Sequence, residues 1–251
     1  VLKHLPKNAN LNGKDARIDP KNTTSCEHNS QWNPSESENY PVSCPQCGQE
    51  TEFTIWTILN SLENPQEAQS LAKGSLTDFT CPNCGDRTVL NHPCLYLDPI
   101  QKCMIYNVCG DAEMSEQAIL TFNTLKNEEE TLSDALFRIV DTHAQLSDKV
   151  AILSEGLDDK VMEVLKLSVL GHAQNQGKVT EDSYCVVQFT ERIDGELHFR
   201  IQADIETFLS SISEEAYQVF AEALVSKEPP LVHPYVVDLE WAYYALTEIS
   251  Q

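Results

Sequence analysis

Hydrophobic positions along this chain follow two periods, and the change between them falls near Gly110. Before it, apolar residues come in short β-rich runs. Residues 51–58, 87–90 and 104–108 each predict a strand, with Phe53 and Ile55 supplying the alternation in the first. Asn64-Pro65 breaks that run. Residues 65–73 predict a helix, and Gly74 just past its end is a stop signal.

After Gly110 the apolar spacing lengthens to three and four. Residues 114–125 predict one amphipathic helix. Residues 131–153 predict a longer one, because Leu132, Leu136, Ile139, His143, Leu146, Val150 and Leu153 form a three-heptad seam. A seam of this kind serves a coiled coil, and so a homodimer through the helix of residues 132–153, or an antiparallel helix pair. His143 interrupts it and reads as a polar residue that fixes register. Gly156 reads as the C-cap of this helix and Asp158 as the N-cap of the next, with Leu157 stapling to Met162. Val161, Val164, Leu165 and Val169 give that second helix a core face, and the short link makes a helical hairpin.

Residues 171–182 are polar and hold Gly171 and Gly177, so they read as a loop. Two β-rich runs, 184–189 and 197–201, flank Asp194-Gly195, the strongest local hairpin signal in the chain. Leu197, Phe199 and Ile201 fall on one face of the second run, His198 and Arg200 on the other. Residues 213–226 predict a helix with a Ser211/Glu214 capping box. Pro229-Pro230 breaks the chain, and Asp238 caps a last helix carrying Leu239, Trp241, Ala242, Ala245 and Leu246. Its aromatics Trp241, Tyr243 and Tyr244 read as packing residues. Residues 1–40 are rich in Asn, Lys, Ser and Pro and read as an irregular lead-in. The expected architecture is α+β: a zinc ribbon with an inserted helix over residues 41–109, then a helical hairpin, a β-hairpin and C-terminal helices over residues 110–251.

The ribbon is expected because of two matching motifs, Cys44-Pro45-Gln46-Cys47-Gly48 and Cys81-Pro82-Asn83-Cys84-Gly85. Two thiolates two residues apart grip one ion from the same side, and the glycine lets the backbone turn behind the second sulfur. Two such knuckles supply the four sulfurs that a structural Zn²⁺ prefers. Cys44, Cys47, Cys81 and Cys84 are therefore the candidate metal ligands. Cys26 and His28 form a Cys-x-His pair with no completing partner nearby. Cys94, Cys103 and Cys109 match no ligand spacing and read as packing residues.

Charge narrows the partners. The chain of 251 residues carries a net charge of −22. Residues 1–109 contribute −4 and residues 110–251 contribute −18. So acidic a second half repels phosphate backbones. Between Cys44 and Cys109 the cations are Lys73, Arg87 and Lys102, fewer than a nucleic-acid surface clusters. No apolar run approaches a membrane span, residues 1–10 lack the core of a secretory signal, and nine cysteines with metal spacing among them suit a reducing cytoplasm.

The paired CPxCG knuckles, the Phe53-x-Ile55-Trp56 strand and the Leu95-Tyr96-x-Asp98 segment together resemble the CpXC family, named for its two cysteine motifs and found in bacteria and archaea. The resemblance covers residues 42–108, and the segment 155–161 is similar to the helical region that follows the domain in such proteins. It implies metal binding through the four cysteines and a cytoplasmic setting. It supplies no reaction. The chain contains no nucleophile elbow, P-loop, dinucleotide fingerprint or HExxH. The function expected is that of a non-enzymatic zinc-binding adaptor with a protein partner. Alternatives are a nucleic-acid-associated ribbon, a redox-responsive zinc-thiolate protein, and an acidic mimic of nucleic acid.

Overall fold

The computed structural model describes residues 32–180, 183–204, 206–226 and 229–249. These form six α-helices and three sheets, an α+β arrangement. The lead-in expected over residues 1–40, with Cys26 and His28, lies mostly outside the described residues. Its last part does not: strand β1 begins at Glu36.

A mixed five-stranded sheet forms the centre. Its strands are β1 (Glu36–Ser43), β2 (Glu50–Asn60), β5 (Cys94–Asp98), β6 (Cys103–Asn107) and β7 (Leu136–Val140), in spatial order β1-β2-β5-β6-β7. Pairs β1/β2 and β5/β6 are antiparallel, and β2/β5 and β6/β7 are parallel. Strands β5 and β6 are buried almost throughout, which a sheet covered on both faces requires. Their side chains alternate between two cores. Leu95, Leu97, Met104 and Tyr106 pack with Ala118 and Phe122 of helix α2 (Ala112–Glu128). Cys94, Tyr96, Cys103 and Ile105 face the other way, against Leu71 of α1 (Pro65–Ala72) and Leu146 and Val150 of α3 (His143–Ser154). The packing reading of Cys94 and Cys103 holds. Strand β5 is hidden in the sequence, because Pro93 and Pro99 bracket it and disguise four buried residues and Asp98 as a break.

The helix expected over residues 131–153 is three elements. A short 3₁₀ turn spans Glu130–Leu132, β7 follows, and only α3 is helical. The seam residues go into the chain's own cores: Leu132 and Ile139 toward α2, Leu146 and Val150 toward α1. Two local signals outweigh the heptad spacing. Phe137-Arg138-Ile139-Val140 is buried at all four positions, as a covered strand is, and Thr142 and Gln145 form a reciprocal capping box that starts α3 at His143. The open edge of β7 is met by a C-terminal segment, where the Ile139 N–H donates to the Tyr235 carbonyl at 2.9 Å.

Helix α3 ends at Gly156, in the left-handed region at φ 68°, with Leu157 N–H to Ile152 O and Gly156 N–H to Leu153 O closing a Schellman motif. Helix α4 (Asp159–Asn175) starts at Asp158, whose side chain accepts the Lys160 N–H. It runs through Gly171, where a loop was expected. A helical glycine costs about 1 kcal/mol, and continuing the apolar face from Val169 to buried Ala173 offsets it. The stop is Gly177, with the same two-bond closure.

The predicted hairpin is β8 (Cys185–Ile193) and β9 (Glu196–Ala203), turning at Asp194 and Gly195, both at positive φ. A third strand, β10 (Glu206–Ser213), pairs with β9. Ser211 therefore lies in a strand, and Ser213 rather than Ser211 stands before helix α5 (Glu214–Ser226), its Oγ accepting the Ala216 N–H. Asp238 does cap α6 (Leu239–Ile249), accepting the Trp241 N–H at 2.9 Å. Helices α4, α5 and α6 and this second sheet enclose a core that includes Met162, Phe199 and Trp241. No helix among the described residues is long and apolar enough to cross a membrane.

Candidate metal centre

Each cysteine knuckle is the turn of an antiparallel hairpin. The first joins β1 to β2, and the second joins β3 (Asp78–Thr80) to β4 (Arg87–Val89). The two turns are built alike. Cys44 N–H donates to Gln49 O and Gly48 N–H to Cys44 O; Cys81 N–H donates to Asp86 O and Gly85 N–H to Cys81 O, all between 2.8 and 2.9 Å. Gly48 at φ 72° and Gly85 at φ 74° take the left-handed conformation that closes each turn, which L side chains resist.

These turns bring all four predicted cysteines together. Their Sγ atoms lie within 4.8 Å of one another. Across the knuckles, Cys44 is 3.6 Å from Cys84 and Cys47 is 3.7 Å from Cys81. Four sulfurs about 2.3 Å from a common ion sit about 3.8 Å apart at tetrahedral geometry. The donor set and the spacing fit one metal ion. Cys44 and Cys81 are buried on a small apolar cluster with Val42, Phe79 and Leu90, while Cys47 and Cys84 face solvent. The Asn83 amide donates to Cys47 Sγ at 3.5 Å. That contact first, and a backbone hydrogen bond at Gln49 second, bring the Cys47 thiol down to about 6. At Cys84 a backbone hydrogen bond at Asp86 works downward, but desolvation and the neighbouring sulfurs outweigh it and push the thiol up to about 12.

Residues 42–166 match the family model described as CpXC protein. Over those residues the chain belongs to the CpXC family. No match was found among curated proteins or among solved structures. The matched residues run from the end of β1 through β7 and α3 and into α4, so four of the five strands of the central sheet and the helices on both of its faces fall within them.

Among the described residues no other cysteine or histidine joins a metal-binding group. Cys94 and Cys103 are enclosed in the sheet core, where burial pushes each thiol up to about 12. Cys109 is half-buried, its N–H held by Asn107 Oδ1. His143 is not in a helix seam. It is the first residue of α3, buried, with its ring 4.4 Å from that of His92 and neither ring nitrogen hydrogen-bonded. Burial first, and His92 second, bring the imidazole of His143 down to about 3. His92 lies 51 positions upstream, so no local pattern announces the pair.

The sequence also conceals a buried ionic network. Arg138 of β7 makes a two-point contact with Asp159, Nε to Oδ2 and Nη2 to Oδ1, both at 2.8 Å. Lys149 bridges Asp159 at 3.0 Å and Glu163 at 2.7 Å. Lys166 bonds Glu163 at 2.9 Å and Asp148, and Asp148 accepts the Phe189 N–H of β8 at 2.7 Å. All six side chains are buried. Burial alone would raise the Asp159 carboxyl, but Lys149 and Arg138 outweigh it and hold it well below the usual carboxylate range. The six residues belong to β7, α3 and α4, and only the tertiary fold brings them together.

Proposed function

We propose that Cys44, Cys47, Cys81 and Cys84 hold a structural Zn²⁺, that the two knuckled hairpins form a zinc ribbon, and that this CpXC protein acts in the cytoplasm as a non-enzymatic module for binding another protein. The observation that carries the reading is the closed set of four sulfurs at tetrahedral spacing. Four thiolates complete the coordination of zinc and leave no position where water could be activated, so the chemistry is cross-linking rather than hydrolysis. The cross-link joins a hairpin of the central sheet to a two-stranded sheet that has little core of its own. A protein partner is favoured over nucleic acid because the ribbon offers few cations, and one of them, Lys102, is engaged by Asp134 at 2.9 Å.

Elemental analysis of protein purified under reductant tests the metal, and comparison of bound material from wild type and Cys81→Ser tests the module. The reading expects zinc in the wild type, and a protein partner retained by the wild type and lost with Cys81→Ser. Iron in place of zinc, which the same tetrahedral sulfur set accepts, would correct the metal. Salt-dependent binding of DNA or RNA would overturn the choice of partner.

A further inference from the structure

An edge strand presents a row of unpaired N–H and C=O groups, and proteins close such edges with charge, proline, bulges or a covering segment. The two larger sheets have β1, β7, β8 and β10 at their edges. Three of these are closed. Strand β1 carries Pro41 together with Glu36 and Glu38. Strand β7 is met by the Tyr235 carbonyl. Strand β8 shifts register between Phe189 and Glu191, and its Phe189 N–H is taken by Asp148 at 2.7 Å.

Strand β10 has none of these devices. It runs eight residues with no register shift against β9, and after Glu206 it holds neither charge nor proline. Among the described residues no backbone group of residues 207–212 bonds anything outside the ladder with β9. The core is unfinished at the same place. Phe208, Ser210 and Ile212 lie opposite Ile201, Phe199 and Leu197 of β9. Those β9 residues are at most 1 % exposed, while their β10 neighbours stay half-buried. At the opposite edge Val187 and Phe189 of β8 are buried.

A row of backbone donors and acceptors is matched by another extended strand. Charge decides which one. Residues 207–213 are uncharged in a half of the chain that carries −18, so a basic strand would meet no carboxylate along them. An uncharged run suits them, and β10 is itself such a run. Antiparallel pairing about a two-fold axis at Ser210 sets Phe208 opposite the partner's Ile212 and Leu209 opposite the partner's Ser211. Phe208 and Ile212 then cover one another, and both open edges close at once. The carboxylates fall at the two ends, Glu206 opposite the partner's Glu214, which Arg192 engages within its own chain.

We propose that β10 is a self-association edge, through which two copies of this chain pair antiparallel and join their three-stranded sheets into one continuous sheet. The contact is independent of the cysteine cluster and of the protein partner proposed above, so its failure would leave both readings untouched.

Sedimentation of the full chain under reductant over a concentration series, read together with amide exchange, tests it. The expected result is a reversible passage from a 28.2 kDa monomer to a dimer. Added salt should tighten the dimer, because copies of net charge −22 repel one another. Amides of residues 207–213 should exchange more slowly where the dimer predominates. Leu209→Lys/Ser211→Lys, at exposed positions that meet across the axis, sets lysine opposite lysine. It is expected to raise the dissociation constant by roughly tenfold or more. Gln117→Lys/Thr124→Lys, the same charge change at exposed positions of α2, is expected not to raise it. A chain that stays monomeric at every concentration would overturn the proposal and leave the edge to a foreign strand. A dimer whose β10 amides exchange as in the monomer, or one that keeps its affinity in the Leu209→Lys/Ser211→Lys variant, would also overturn it.

Discussion

The hairpins that carry the cysteines share a cluster of five buried apolar residues, two of which are Cys44 and Cys81 themselves. The core around α4 holds 22, including Met162, Phe199 and Trp241. The two regions treat polar chemistry in opposite ways. On the proposed reading the small one depends on a metal cross-link, since a cluster of that size does not repay the entropy of ordering two hairpins. The large one encloses six charged side chains, a burden it can carry because each charge has a partner and the surrounding apolar burial is extensive. What distinguishes them is how much apolar surface each can remove from water, and the proposed metal would supply to the small region what packing supplies to the large one.

The largest expected effect breaks the small region. Cys81→Ser removes one ligand, and metal binding in small metal-dependent domains supplies on the order of 10 kcal/mol of folding free energy. Amide exchange should show β3, β4 and the outer ends of β1 and β2 losing protection, while β5, β6 and α4 keep theirs. Equal loss in both regions would show that the two are not separately stabilised.

Next comes the large region. Asp159→Ala strands Arg138 and Lys149 as buried cations and should cost about 3–5 kcal/mol, read from denaturant unfolding. Arg138→Met/Asp159→Leu removes the closest pair together and should cost less than Asp159→Ala alone. A double variant that is worse than the single would mean the pair contributes more than it costs to desolvate.

The imidazole pair sharpens the comparison through pH. In the fold His143 is held down to about 3 from an ordinary value of 6.5. The unfolded chain therefore binds the extra proton first as pH falls. Stability is fully present above the unfolded value and declines from there toward the folded one. Between pH 7 and pH 5 the loss is on the order of 2 kcal/mol from His143, and His143→Phe should flatten it. The smallest change concerns a helix end. Gly156 holds φ 68°, so Gly156→Ala should cost about 1 kcal/mol in thermal unfolding with no change in metal content.

The cysteine cluster was legible in sequence because its signal is local: two thiols, a proline and a glycine repeat within five residues each. The same holds for the Asp194-Gly195 turn, the Gly156 stop and the Asp158 and Asp238 caps, where one or two neighbouring residues fix the conformation. The failures share another cause. Leu132, Leu136 and Ile139 are spaced as in a helix, but position 138 is an arginine buried against Asp159, and that partner comes 21 residues later. Strand β10 and the continuation of α4 through Gly171 likewise depend on the surfaces that receive them. The ionic network and the His92–His143 pair are assembled across elements, so no window of sequence contains them.

The central claim is that four cysteines close on one zinc ion. Elemental analysis combined with X-ray absorption at the metal edge, on protein prepared anaerobically with reductant, tests it most directly. The account predicts about one zinc per chain with four sulfur neighbours at about 2.3 Å. A chain prepared that way without metal, or with nitrogen or oxygen in the coordination shell, would contradict it.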